Sequence, residues 1–208
     1  MRPRAVQIGV LAALLAGLPG IAAAGCEDPP APKVNWQRCN KRDADLRDKD
    51  LQGANLQGVL LADAKLGRAN LRGANLNKAS LLGADLSPTV DFREATLSEA
   101  NLKGVDLTYA RLDSADLRGA NLEGAILEEA SLPRADLQGA RLADASLIGA
   151  NLQGANLKDA FLRGAKLSRA NLKGAKLEGV RLEGVNLSGA TWTDGRVCAL
   201  QSVGACNK

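Results

Sequence analysis

From Ala44 to Trp192 the chain repeats one arrangement of apolar and polar side chains every five residues. Between Ala150 and Leu172 it reads ANLQGANLKDAFLRGAKLSRANL, with Leu152, Leu157, Leu162, Leu167 and Leu172 as the recurring large side chain. Thirty such centres occur, nine from Leu46 to Leu86 and twenty-one from Phe92 to Trp192, and all but Phe92 and Trp192 are leucine. Two residues ahead of the centre stands Ala in twenty-four repeats and Val in five. The residues flanking each centre are mostly Asn, Asp, Arg, Lys, Gln, Ser and Glu. An internal repeat of this regularity governs the fold before any local propensity does.

Neither common element can bury every centre. On a helix, five residues at ~100° each leave a net step of about 140°, so the leucines would scatter around the cylinder. On a straight strand an odd period sends successive centres to opposite faces. The centres converge only if the chain turns a corner once per repeat, always in the same sense. That predicts an all-β solenoid of short, strand-like sides around a common axis. The slot two before the centre is small because the interior there is crowded. Gly stands two places after the centre in fifteen repeats, among them Gly53, Gly119, Gly154 and Gly189, as a tight corner demands. Aromatic residues are only 2 % of the chain, so the core has to be built from leucine and alanine layers.

The A(D/N)LxG unit resembles the signature of the pentapeptide-repeat family. The resemblance implies a right-handed quadrilateral β-helix with four repeats to a coil, whereas the period alone also admits a triangular one. Thirty repeats then make about 7 to 8 coils, a rod of about 36 Å at ~4.8 Å per layer. The expected division is a leader over 1–24, an N-terminal cap over 25–43, the solenoid over 44–193 and a C-terminal cap over 194–208. One interruption, at Ser87-Pro88-Thr89, stretches the spacing between centres to six and is expected to kink the rod or reset its corners.

Met1 to Ala24 has the pattern of a secretory signal peptide. Arg2 and Arg4 precede an apolar run from Val6 to Leu18, then Pro19-Gly20 and the small residues Ala22, Ala23 and Ala24. Cleavage between Ala24 and Gly25 would leave 25 basic side chains against 23 acidic ones, lowering the formal net charge from +4 to +2. A periplasmic or secreted location follows, with no transmembrane segment in the mature chain. Ala23-Ala24-Gly25-Cys26 also loosely resembles a lipoprotein processing box, so anchoring through a lipid on Cys26 is the alternative. Four cysteines in an exported chain read as disulfides. A rod of the implied length keeps its ends too far apart for a bond across it, so Cys26 pairs with Cys39 and Cys198 with Cys206. The WTDGRVC ending resembles the closing segment of exported pentapeptide-repeat proteins.

The chemistry points away from catalysis. There is no His, which removes the usual general base and the commonest metal ligand. The carboxylates Asp63, Asp116, Asp136, Glu128 and Glu129 are spread among cations, and no phosphate loop precedes a helix. No enzyme activity, cofactor or metal is expected. Nucleic acid is not the expected partner of a mature chain with net charge +2 and a single Tyr. The expected function is a non-catalytic exported scaffold, binding a protein partner or itself as a homodimer. Outward apolar residues mark the candidate interaction patch: Leu60, Leu82, Ile126, Ile148 and Phe161. The alternative is a wall- or acidic-polymer-binding module acting through Arg111, Arg118, Lys173, Lys176 and Arg181.

Overall fold

The computed structural model describes residues 25–207; the expected leader, 1–24, lies outside the described residues. The chain coils as a right-handed quadrilateral β-helix. Each five-residue unit makes one short side and one corner, and residues twenty apart pair as parallel bridges. Four ladders result, one per face. Face 1 runs from Asn35 through Asn55 and Asn75 to Lys176, and face 2 from Asn40 through Leu60 to Phe161 and Arg181. Face 3 runs from Asp45 to Asn186, and face 4 from Asp50 to Thr191. Face 2 has eight layers, in line with the 7 to 8 coils implied by the family resemblance.

Main-chain bonding explains why the unit is five residues long. The centre amide donates upward, as Leu51 N does to Asn70 O (2.8 Å), and the preceding residue donates downward, as Asn70 N does to Lys49 O (3.0 Å). The corner closes with a turn bond, for example Ala54 N to Leu51 O at 3.0 Å. Its third residue is left-handed, as in a type II turn: Gly53 has φ 64° and Arg134 φ 57°. Non-glycine residues share this slot, since the layers above and below hold the corner in place. The leucine centres and the alanines ahead of them are almost completely buried through the middle of the rod.

The polar flanks are part of the framework. Asn and Asp just before the centre accept from the amide two residues on, as in Gln138 N to Asp136 Oδ1 at 3.1 Å. They also bond up the ladder: Asn55 Nδ2 donates to Asn35 Oδ1 (3.0 Å) and Asn156 Nδ2 to Asp136 Oδ1 (2.9 Å). These side chains face water and still fix the register.

At the N-terminal end the boundary differs from the expected one. Coil geometry begins near residue 31, inside the stretch 25–43 expected to be a cap, because the five-residue register continues backward through it. Trp36 fills a centre slot at 1 % exposure, with Val34 and Cys39 in the small inward slots. Lys41 takes the next centre slot and lays its Nζ 4.1 Å from the Trp36 ring centroid, a cation–π contact that lets a charged residue end the core. At the other end the tail folds back antiparallel, pairing Val197 with Thr191 and Val203 with Asn186. Buried Ser202 ties it down: its O accepts from Leu187 N (2.8 Å), and its Oγ donates to Ala199 O (2.8 Å) and accepts from Asn207 N (3.2 Å). Disulfides join Cys26 to Cys39 and Cys198 to Cys206, with Cα separations of 5.4 and 4.8 Å.

The extra residue is absorbed locally. Pairing runs at twenty-one residues for Asn70–Asp91, Asn75–Thr96 and Ser80–Asn101, then returns to twenty at Asp91–Arg111. Among the described residues no bridge joins Asp85 to Asp106, so face 3 carries the interruption while the other faces stay continuous.

Candidate interaction faces

The stacking of residues twenty apart decides which outward side chains meet. Leu60 and Leu82 lie on face 2, diagonally across adjacent layers, and Phe161 stands on the same face several layers up. Ile126 and Ile148 lie on face 3. The five expected patch residues therefore form sets on two faces and not one surface. Leu60 and Ile126 are thirteen repeats apart, one more than three full coils, which puts the isoleucines on the next face and splits the expected patch. Tyr109, not among the expected residues, is exposed at the corner after face 3. Val197, Leu200 and Val203 are exposed on the folded-back tail.

The basic rungs of the acidic-polymer reading do not align. Arg111 and Lys173 belong to face 4, Arg118 and Lys176 to face 1, and Arg181 to face 2. Arg118 is bound to Asp116 by two bonds, Nε to Oδ1 at 2.8 Å and Nη2 to Oδ2 at 2.6 Å. Arg111 reaches Asp91 at 3.5 Å. The Arg118 guanidinium holds the Asp116 carboxyl below the usual carboxylate range. Burial pushes the Asp91 carboxyl up, but the hydrogen bonds from Arg93 outweigh it and leave it lowered. On face 2, Arg141 and then Lys103 hold the Glu123 carboxyl low. Lys103 stacks one layer below Glu123 as an ion pair at 3.5 Å. Arg163 and Glu183 stack in adjacent layers without coming within ion-pair distance.

Around Phe161 the wall of the rod is indented. Ala143, the small residue beside Phe161 one layer down, forms the floor of a cleft of about 390 Å³ walled by Glu123, Arg141, Phe161 and Arg163. Above it a second hollow of about 260 Å³ lies among Phe161, Leu162, Arg163, Arg181 and Glu183. There the coil is loosened, with Gly164 N to Glu183 O stretched to 3.4 Å. Phe161 is 57 % exposed between them. Sequence reading singled out Phe161 and Arg181 on separate grounds but not Arg141, and only the twenty-residue stacking brings Arg141 and Arg181 to the side of the ring. Among the described residues no group of three metal-ligating side chains occurs, and no helix is long and apolar enough to cross a membrane.

A continuous β-helix with leucine-centred five-residue sides defines a repeat scaffold. Residues 54–87 and 90–184 match the family model described as pentapeptide repeats, in eight copies. The chain belongs to the pentapeptide-repeat family, whose members are generally non-enzymatic scaffolds. It is similar to HetL, a pentapeptide repeat protein involved in heterocyst differentiation regulation from the cyanobacterium Nostoc sp. strain PCC 7120. The identity is 36 % over 79 % of this chain and 75 % of that one, with a TM-score of 0.41. It is also similar to Rfr23 from the cyanobacterium Cyanothece 51142, at 39 % identity over 48 % of this chain and 65 % of that one, with a TM-score of 0.40. QnrB1, a plasmid-mediated fluoroquinolone resistance protein, is 15 % identical over 76 % of this chain and 86 % of its own, with a TM-score of 0.45. No curated protein matched the chain.

Proposed function

We propose that this protein is an exported, non-catalytic scaffold of the cell envelope that holds a protein partner against face 2. The observation that carries the reading is the set of outward apolar residues on that face, Leu60, Leu82 and Phe161, the last 57 % exposed beside Arg163 and Arg181. Water-facing apolar side chains of this size gain most when a partner covers them. Export is supported by the leader-like start and by the use of all four cysteines in disulfides, bonds that persist in oxidising compartments. The Cys26–Cys39 bond also speaks against the lipid anchor, because a thioether and a disulfide compete for one sulfur. Self-association is the second reading, favoured by exposed Val197, Leu200 and Val203 at the tail end.

Two measurements test this. The intact mass of the exported protein should correspond to a chain starting at Gly25 with no acyl addition; a mass including a diacylglyceryl group would establish the anchor instead. Immobilised mature protein should retain an envelope protein that the Leu82→Ser/Phe161→Ser variant loses, with sedimentation velocity showing a monomer. Equal recovery by both proteins sinks the face 2 reading, and a dimer abolished by Leu200→Ser would put self-association in its place.

A further inference from the structure

The cleft around Phe161 combines features that select one kind of ligand, and we infer that it binds an extended peptide segment carrying a carboxylate two residues from a bulky apolar side chain. This deepens the scaffold reading and rests on it for the nature of the partner.

The argument starts from the ladder on face 2. Arg141 lies directly below Phe161 and Arg181 directly above it, while Arg163 stands on the far side of the same short strand. Arg141 is consumed by Glu123, to which it gives two hydrogen bonds, one of 2.9 Å from Nε. Arg163 and Arg181 have no carboxylate within ion-pair distance among the described residues. Two uncommitted guanidiniums thus flank an exposed aromatic ring, and each presents the planar fork that takes a carboxylate bidentately.

The surroundings narrow the ligand further. Glu123 lines the cleft and Glu183 the hollow above it. A dense polyanion laid along the face would meet both, so charge complementarity favours one isolated carboxylate over an acidic polysaccharide or nucleic acid. The floor is Ala143, and the wall is the Phe161 ring, a surface for an aliphatic or aromatic side chain. Ala143 lies one layer below Arg163, about 4.8 Å, and same-face side chains two apart on an extended peptide are separated by about 6.8 Å. An apolar side chain over Ala143 therefore delivers its neighbour's carboxylate to the Arg163–Arg181 level. The looser layer between Phe161 and Glu183 leaves room for it.

The chain has only two phenylalanines, Phe92 buried in the core and Phe161 in the cleft, which makes ring-labelled phenylalanine a direct probe. Titration of mature ¹³C-phenylalanine protein with acetyl-Gly-Leu-Ser-Glu-Gly-amide should move the Phe161 ring signals saturably and leave those of Phe92 in place. The Gln analogue of the peptide, and the Arg163→Gln/Arg181→Gln protein with an unchanged melting curve, should each bind at least tenfold more weakly. Equal affinity for the Glu and Gln peptides, or tighter binding of oligogalacturonate than of the peptide, overturns the assignment. If the peptide fails while Phe161→Ser still abolishes partner capture, only the ligand class is wrong; if capture is also indifferent to Phe161, the face 2 reading fails with it.

Discussion

Gly67 is the only glycine found one place after a centre, and it lies directly beneath the one-residue insertion. In regular layers a corner amide donates to the residue nineteen ahead, as Gly53 N does to Arg72 O (2.9 Å), but Arg68 N donates instead to Pro88 O (2.9 Å). The Ser87 carbonyl, freed from that role, turns onto the Gly67 α-carbon. A β-carbon built at Gly67 would sit 1.9 Å from Ser87 O, 2.8 Å from its carbonyl carbon and 3.2 Å from Pro88 Cδ. Ordinary C···O contact is near 3.3 Å, so Gly67→Ala requires the backbone of one layer to move by more than about 1 Å. That overpacking costs about 1–3 kcal/mol and strains the Arg68–Pro88 bond, worth roughly 1 kcal/mol. The smaller entropy of the unfolded alanine chain returns only about 0.4–1 kcal/mol. The net loss should be about 1–3 kcal/mol, a drop in melting temperature of about 2–12 °C for a chain of this size. The decisive assay is a double-mutant cycle monitored by far-ultraviolet circular dichroism in guanidinium chloride. In a background lacking Thr89 and carrying Pro88→Gly, the register returns to twenty and Ser87 O is drawn back to Arg68 N. There Gly67→Ala should be nearly neutral, a coupling of at least about 1 kcal/mol. An equal cost in both backgrounds would refute the account of Gly67 as the insertion's counterpart.

Other consequences follow from the layered core. Leu137→Ala, in a closed layer, should cost about 2–5 kcal/mol, and Leu177→Ala, in the half-open last layer, clearly less; equal losses by chemical denaturation would contradict the end-fraying it implies. Replacing Cys26 and Cys39 by Ser should cost up to about 3 kcal/mol, felt as faster amide exchange near Trp36 with unchanged protection around Leu137. The Asp116 carboxyl is lowered in the fold, so its stabilisation is complete above the ordinary value near pH 4 and is lost as pH falls through the folded value. Arg118→Gln should accordingly be slightly less stable than the parent at pH 7, with the deficit shrinking as pH falls from about 4 toward the folded value; a deficit that does not shrink in acid would point to lost packing and not lost charge.

What could be read in advance follows from which interactions are local to the repeat. The leucine centres, the alanine slots and the left-handed corners all obey a rule stated within five residues, and the structure places them accordingly. The start of the coil was hidden by chemistry, since Lys41 occupies a centre slot and Trp36 and Cys39 substitute for leucine and alanine. Yet those residues keep the five-residue spacing, and counting backward from Leu46 reaches each of them. The antiparallel tail obeys no repeat, so its pairing with Thr191 and Asn186 depends on contacts that no period encodes.

The Phe161 cleft falls between these cases. Phe161 and Arg163 are neighbours in sequence, but Arg141 and Arg181 reach the ring only through the twenty-residue coil, and the hollow exists because Ala143 is small where Glu123 and Arg163 are large. A binding surface on a solenoid is therefore written in columns and not in repeats. Each column must be read across layers with the insertion counted in. On that reading Phe161 and the guanidiniums of Arg163 and Arg181 converge at one end of face 2, while Leu60 and Leu82 lie several layers below and the isoleucines of face 3 do not join them. This separates a local site from scattered exposed hydrophobes, and it is why the peptide titration at Phe161 bears on function more directly than a charge swap elsewhere on the rod.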